Sequence, residues 1–297
     1  MRYVLLPVLV PVLLLNNSMV FSAGQKETVV RILFTNNSNG KLENCHCRND
    51  HTAGLAERVG FIRTYREKHS DILLLDSGGY LGLSDEERKG PVVFRLMDIM
   101  GYDAWGIGDQ ELYGSFKRFM SLFGKYTDRI INASLVDDKG KTVFKAYQIF
   151  TIGDVRIGVT GLFSTETFKF FPDRSRDFAF ENPDVILERL LPVLRKSCDY
   201  VVVLSQMGKN EDVALAEKWQ DIDLIIGGHS QTLLDSAMDV SGCRIVQAGK
   251  GGGRVGEIVL TFDRSGKLKN FTYKLIELDE TYTIPDDILP LVKQPSQ

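Results

Sequence analysis

Several residue classes are scarce in this chain, and their scarcity narrows the class of protein. Its 297 residues include only four cysteines, four histidines and nine prolines, and the formal net charge is -3. No stripe of lysine and arginine with interleaved aromatic residues is present, so nucleic acid is not an expected partner. No repeat, low-complexity tract or Pro/Ser-rich linker divides the chain. With 43% apolar and 25% charged residues, the composition fits one ordinary globular domain.

Long hydrophobic runs are also missing, except at the start of the chain. The uncharged run from Val4 to Leu15 follows Arg2 and precedes the small residues Ser22, Ala23 and Gly24. A run this short cannot cross a bilayer core of about 30 Å, so the layout predicts a secretory signal peptide over residues 1–23. The alternatives are a buried strand or an uncleaved anchor. We expect an exported protein, periplasmic or secreted, with no transmembrane span after signal cleavage.

Short apolar runs alternate with amphipathic stretches along the rest of the chain, which predicts a layered α/β domain. The predicted strands are 29–34, 72–75, 104–107, 155–162, 200–204 and 224–226. The predicted helices are 55–68, 92–100, 115–123, 185–195 and 212–219. Turn sequences at 137–140 and 263–266 predict hairpins around 143–151 and 255–276.

Polar and glycine-rich loops follow the predicted strands, where an α/β sheet binds its ligands. These loops read TNNSNG (35–40), DSGG (76–79), GDQE (108–111), SQMG (205–208) and GGHSQ (227–231). TNNSNG holds three asparagines but neither an acid nor a histidine. Taken alone it is typical of a plain turn, because Asn, Ser and Gly all favour turns.

In this order and spacing the loops resemble those of the calcineurin-like metallophosphoesterases, and within them the catalytic domain of the periplasmic 5'-nucleotidases. The stretches that carry the resemblance are GLAERVGFIRTYREKHSDILLLDSGG, MDIMGYDAWGIGDQE, IDLIIGGHSQ and IVQAGKGGGRVGEIVLTFD. The resemblance implies an α/β fold, a four-layer α/β/β/α sandwich of two mixed sheets, over residues 28–280, with 281–297 as a C-terminal tail. It also implies two divalent metals that clamp a phosphoryl group and generate hydroxide at neutral pH.

The first two ligand motifs of that family fall on residues that are poor metal ligands. The Asp and the His of the first motif correspond to Asn37 and Asn39. The Asp that bridges both metals corresponds to Gly79, which has no side chain.

The remaining motifs are altered as well. The family's Asn ligand corresponds to Asp109, and the neighbouring His that assists the leaving group corresponds to Gln110. The lone later His corresponds to Gln206. The final Gly-His-x-His survives as His229 with Gln231.

Neutral amides are weak metal donors, and loss of the bridging carboxylate leaves two dications about 3.5–4 Å apart without the charge that holds them. We therefore expect the dinuclear centre to be absent, with Asp109 and His229 as weak candidates for a single divalent metal. Asn and Gln roughly keep the shape of Asp and His, so a pocket for an extracytoplasmic protein or small-molecule partner can persist. The alternative is an active phosphoesterase with an atypical or single-metal site.

A second feature, LENCHCRNDH at 42–51, comes directly after the first motif. Cys45, Cys47 and His51 are candidate ligands for a soft metal such as zinc or copper. Divergent relatives that resemble the 5'-nucleotidases carry Cys-Gly-Cys at this place, which implies thiol or soft-metal chemistry. A redox pair is the other functional interpretation, since a disulfide across one intervening residue is strained and easily reduced.

The remaining interpretation gives these cysteines a structural role or none. In an oxidising compartment Cys45 or Cys47 could pair with Cys198 or Cys243, or could stay unpaired. The sequence leaves these alternatives open.

Overall fold

The computed structural model describes residues 27–44, 52–69, 71–82, 86–112, 116–168, 178–279 and 281–293. The predicted leader at 1–23 and the candidate ligands Cys45, Cys47 and His51 lie outside the described residues, so those predictions stay predictions. Within the described ranges, no helix has both the length and the apolar character that crossing a membrane requires.

Strands and helices alternate along most of the chain. The strands are β1 (Thr28–Thr35), β2 (Ile72–Asp76), β3 (Ala104–Trp105), β4 (Leu135–Val136), β5 (Tyr147–Ile152), β6 (Val155–Leu162), β7 (Ala179–Phe180), β8 (Tyr200–Ser205), β9 (Leu224–Ile226), β10 (Met238–Val240), β11 (Cys243–Val246), β12 (Arg254–Phe262) and β13 (Leu268–Glu277). The helices are α1 (Leu55–Lys68), α2 (Glu86–Met100), α3 (Phe116–Phe123), α4 (Pro183–Ser197), α5 (Lys209–Lys218) and α6 (Leu289–Lys293).

Two mixed sheets form the centre of the domain. The first has the order β13-β12-β1-β2-β3, with β1, β2 and β3 parallel and β12 antiparallel to β1. The second has the order β10-β11-β9-β8-β6-β5, with β6, β8, β9 and β11 parallel. The parallel strands of both sheets deliver the loops that follow them to one edge of the domain.

Three buried clusters hold the layers together, as expected when a sheet must bury both faces. One cluster lies between the sheets and joins residues such as Ile32 of β1 to Val202 of β8. A second packs α1, α2 and α3 against the outer face of the first sheet. A third packs α4 and α5 against the outer face of the second sheet. The four-layer α/β/β/α sandwich is therefore confirmed.

Most predicted elements occur where the sequence places them. The helix at 55–68 and the strands at 155–162 and 224–226 match the observed bounds, and β12 and β13 form the predicted hairpin. The first predicted hairpin is wrong in its pairing, because β5 pairs with β6 and not across the turn at 137–140. Across that turn, an isolated bridge joins Val136 to Thr142, and backbone N-H groups of Val143 and Asp137 donate to the carbonyls of Leu135 and Lys141.

The segment at 281–293, expected to be part of a tail, packs against the first helical layer. Ile288 and Val292 are buried in its core, and Arg63 of α1 forms a bidentate ion pair with Asp287 at 2.8 Å. The segment crosses α1 closely at Gly60, where an added Cβ would lie 2.7 Å from the carbonyl oxygen of Thr283.

We predict that Gly60→Ala destabilises the fold by roughly 1–2 kcal/mol, because the new methyl group overlaps the Thr283 carbonyl. In an unobstructed helix the same change would stabilise by up to about 1 kcal/mol. Gly124→Ala is the matched control, since an added Cβ there meets nothing within 4 Å. Urea unfolding measures both variants. A Gly60→Ala protein as stable as the parent would contradict the close packing of this segment.

Candidate functional site

The loops singled out in the sequence meet at the edge where β1, β2, β8 and β9 end. This edge brings Asn37, Gly79, Gln206 and the backbone of His229 into contact. Gln231 is exposed and forms no hydrogen bond with these residues in the described structure.

Asn37 is the centre of the arrangement. Its side-chain oxygen accepts the backbone N-H of His229 at 3.1 Å and the Gln206 Nε2 at 3.3 Å. Its Nδ2 donates to the carbonyl of Gly249 at 3.2 Å, which fixes the orientation of the amide. Asn37 is 2% exposed. One buried amide thus ties together loops from both sheets.

Gln206 occupies a cradle made by three glycines. A Cβ added at Gly78, Gly108 or Gly228 would come within 2.8, 2.8 and 1.9 Å, respectively, of the Gln206 side chain. Gln206 is 1% exposed, and its Oε1 has no hydrogen-bond partner in the described structure. The side chain therefore fills space that only glycine backbones leave open.

The rim of the site is polar and more open. Gln110 Nε2 donates to Asn39 Oδ1 at 3.0 Å. Asp109 Oδ1 lies 3.3 Å from His229 Nδ1, and their side chains are 26% and 33% exposed. An acid and an imidazole are thus paired beside the buried amides.

Backbone strain is concentrated at this edge. Asn37, Asn39, His229 and Gln231 all have φ between 48° and 59°, a region that costs a non-glycine residue about 1 kcal/mol or more. Ser241 is the other described non-glycine residue with positive φ. Strain that persists at one place indicates a site whose shape is held by its surroundings.

Buried carboxyl groups brace the loops from below. Glu111 accepts the backbone N-H groups of Gly79, Leu81 and Gly108 at 2.8, 2.9 and 2.8 Å. Burial raises its pKa from 4.5 to about 7. Asp76 accepts the N-H of Gly78 at 2.8 Å and so braces the loop that follows β2. Sequence reasoning gave Glu111 no role, although its place beside GDQ could have suggested one.

Arg58 is a further brace that the sequence reasoning missed. Its fully buried guanidinium donates to Ser38 Oγ at 3.0 Å, to the Gly252 carbonyl at 2.7 Å and to the Tyr102 hydroxyl at 3.1 Å. Tyr102 in turn lies 2.8 Å from Thr35 Oγ. The loop after β1 is thereby tied to the loop before β12.

Comparison with known proteins agrees with the observed fold. The chain is 29% identical over 293 residues to a 5'-nucleotidase of Vibrio parahaemolyticus, covering 84% of this chain and 50% of the relative. It is 26% identical over 219 residues to the 5'-nucleotidase of Bos taurus, covering 68% of this chain and 38% of the relative. The structure of a 5'-nucleotidase precursor from Thermus thermophilus superimposes with a TM-score of 0.78 at 23% identity, covering 90% of this chain and 59% of the other.

The chain is similar in sequence to 5'-nucleotidases, and its fold is that of the calcineurin-like phosphoesterases. No protein-family model matches it. The chain spans between about a third and a half of the length of the curated relatives it matches.

The metallophosphoesterase fold implies a dinuclear metal centre, and the donors present here do not fit one. The positions between the sheets carry Asn37, Gly79 and Gln206, which provide no carboxylate or imidazole. Among the described residues, no three His, Cys, Asp or Glu side chains come together as a metal-binding group. The carboxylate of Asp109 and the imidazole of His229 are the ionisable donors at the rim, and two ligands hold a divalent ion loosely.

The structure bears on one interpretation of the cysteines. Cys198 and Cys243 are both free thiols, buried in the cluster between the second sheet and its helices. A disulfide from the CHC segment to either of them is therefore wrong. Both thiols belong to this apolar cluster, and burial raises the pKa of each.

We predict that Gly79→Asp, which places a carboxylate where the resemblance puts the bridging Asp, destabilises this protein by about 2 kcal/mol or more. The new Cβ would lie 2.7 Å from Asn37 Oδ1, and Gly79 has φ of 70°. Gly140→Asp is the matched control, because Gly140 has φ of 76° but open space around it. Thermal unfolding compares the two. Equal losses in both variants would mean that Asn37 does not fill the bridging position.

A second prediction concerns Asp212 in α5, whose carboxyl bonds to Ser205 Oγ and is fully buried. Burial raises its pKa from 3.8 to about 7, so the folded protein holds this proton while the unfolded chain releases it. Its contribution to stability is therefore lost as the pH rises from about 4 to about 7. Asp212→Asn should be more stable than the parent at pH 8, by roughly 2–4 kcal/mol, and equal to it near pH 3.5.

The exposed Asp154 provides the control variant, Asp154→Asn. Urea unfolding at pH 3.5, 6 and 8 measures all three proteins. An Asp212→Asn protein with the parental pH dependence would show that the carboxyl is ionised in the folded state.

Proposed function

We propose that this protein is an exported metallophosphoesterase-fold protein that has lost two-metal phosphoester hydrolysis and serves as a binding protein. The observation that carries the proposal is the amide contact at the centre of the site. Asn37 and Gln206 hydrogen-bond to each other at 3.3 Å where the family has metal ligands. Each is at most 2% exposed, so the two amides enclose one another, while Gln206 Oε1 has no hydrogen-bond partner among the described residues.

The charge of the site supports the same proposal. Two dications need a carboxylate between them, and the bridging position is Gly79, packed against Asn37 Oδ1. At the rim, Gln110 stands where the family has a His that assists the leaving group, and an amide cannot act as a useful general acid. The position that would bridge the metals therefore has no carboxylate, and the position that would protonate the leaving group has no general acid.

The retained shape of the site supports a binding role. The positive φ values of Asn37, Asn39, His229 and Gln231 and the buried braces Glu111 and Arg58 maintain an ordered edge at a cost in backbone strain. The proposal of export rests on the predicted leader at 1–23, whose layout fits a secretory signal peptide. The partner is then an extracytoplasmic small molecule or protein.

The test is elemental analysis of the protein purified from its native compartment, combined with hydrolysis of phosphate mono- and diesters in saturating Mn²⁺. We expect less than one Mn, Fe or Zn per chain at the site, and no turnover above that of the buffer. His229→Ala should not change this result. The V. parahaemolyticus 5'-nucleotidase serves as the positive control.

Two metals per chain, with turnover that His229→Ala abolishes, would overturn the proposal. One metal with measurable turnover would favour the single-metal phosphoesterase. A metal that is lost when Cys45 and Cys47 are alkylated would instead place it on the CHC segment.

A further inference from the structure

Asn37, Gly79 and Gln206 pack together as a closed centre, and an open cleft lies beside it. This cleft has a volume of about 390 Å³ and shares His229 with the site. It lies beyond the carboxyl ends of β6, β8 and β9, three neighbouring parallel strands of the second sheet. This is the position at which α/β sheets bind ligands, and the volume is within the range of small-molecule pockets.

His229 presents one edge of its ring to the cleft. Asp109 holds Nδ1 on the other side at 3.3 Å. The Cδ2 atom, which is bonded to Nε2, lies 3.6 Å from the position of an added Cβ at Gly208. Gly208 also lines the cleft, so Nε2 is the ring nitrogen available to a ligand there.

The lining carries both signs of charge. Lys209 provides an ammonium group, and Glu166 and Glu211 provide two carboxylates. None of these three side chains forms an ion pair with another residue in the described ranges. Ser230 and Thr232 add hydroxyl groups.

An adjoining cleft extends this space. It has a volume of about 380 Å³ and shares Glu166, Met207 and Glu211 with the first. The carboxylates thus lie on the wall common to both clefts, while Lys209 and His229 line only the first.

We propose that this cleft, and not the closed centre, is the ligand site of the protein, and that it binds a small zwitterion. The protonated amine of the ligand lies against Glu166 and Glu211, and its acidic group lies against Lys209 and His229 Nε2. This proposal rests on the proposed function in one respect, because it takes the centre to be closed to metals and phosphate. Separation of the two signs across one cleft favours a molecule that carries both.

A matched set of probes tests this proposal in the metal-free full-length protein. The probes are 4-aminobutyrate, butylammonium, butyrate and inorganic phosphate, which differ in charge but, for the first three, hardly in size. Calorimetry gives the dissociation constants, and backbone amide resonances of Gly208, His229 and Ser230 report the location. We expect the zwitterion to bind about fivefold more tightly than either single-charge analogue, because each exposed ion pair contributes modestly.

Two variants assign the charges. Glu211→Gln should weaken 4-aminobutyrate and butylammonium by about threefold and leave butyrate unchanged, whereas Lys209→Met should weaken 4-aminobutyrate and butyrate and leave butylammonium unchanged. Glu188→Gln, an exposed change on α4 outside both clefts, should alter none of them.

Three results would overturn the proposal: no shift of these resonances with any probe, equal affinity for all three organic probes, or preference for inorganic phosphate. Each would leave the loss of two-metal hydrolysis intact, because the probes are measured without metal. Conversely, two metals with turnover would remove the proposed function while the zwitterion measurement stands by itself.

Discussion

The site depends on one buried acceptor, the side-chain oxygen of Asn37. It receives the His229 backbone N-H from the loop after β9 and the Gln206 amide from the loop after β8, while Asn37 itself follows β1. A neutral amide can accept these bonds in a buried place without the desolvation cost of a carboxylate. Gly79 must then remain glycine, since its missing Cβ leaves room for that oxygen. The amides and the glycine form one packed unit, so substitutions at these positions should depend on one another.

Secondary-structure elements could be predicted from the sequence wherever the apolar residues recur at the spacing of the element and are buried in the fold. α1 occurs at the predicted residues, because its apolar residues such as Val59 and Ile62 recur at helical spacing and are buried. β3 ends at Trp105, two residues earlier than predicted. An added Cβ at Gly106 would lie 2.3 Å from the Ser77 carbonyl oxygen, so this close packing requires glycine directly after the strand, although Ile107 is apolar and buried. Such a close approach between distant segments leaves no mark in local periodicity.

The site likewise has features that the sequence predicts and features that only the packing reveals. Asn37, Gly79 and Gln206 could be singled out from the sequence because the resemblance supplied a ligand pattern from which they differ. The bracing role of Glu111 and the glycine cradle around Gln206 were not, since both depend on which backbone groups face each other in three dimensions. The cleft lined by Lys209, Glu211 and His229 was also not predictable, because its charges come from loops and a helix that are separate in sequence. Residue types indicated where the loops depart from the family pattern, and packing indicates where open space lies.

The central claim is that neutral side chains close the former metal positions. The most direct test is anomalous diffraction from crystals soaked in Mn²⁺. We expect no anomalous peak between Asn37, Gly79 and Gln206, with Gln206 Nε2 and the His229 N-H both on Asn37 Oδ1. Two peaks about 3.5–4 Å apart at this place, with Asn37 or Gln206 turned toward them, would contradict the account.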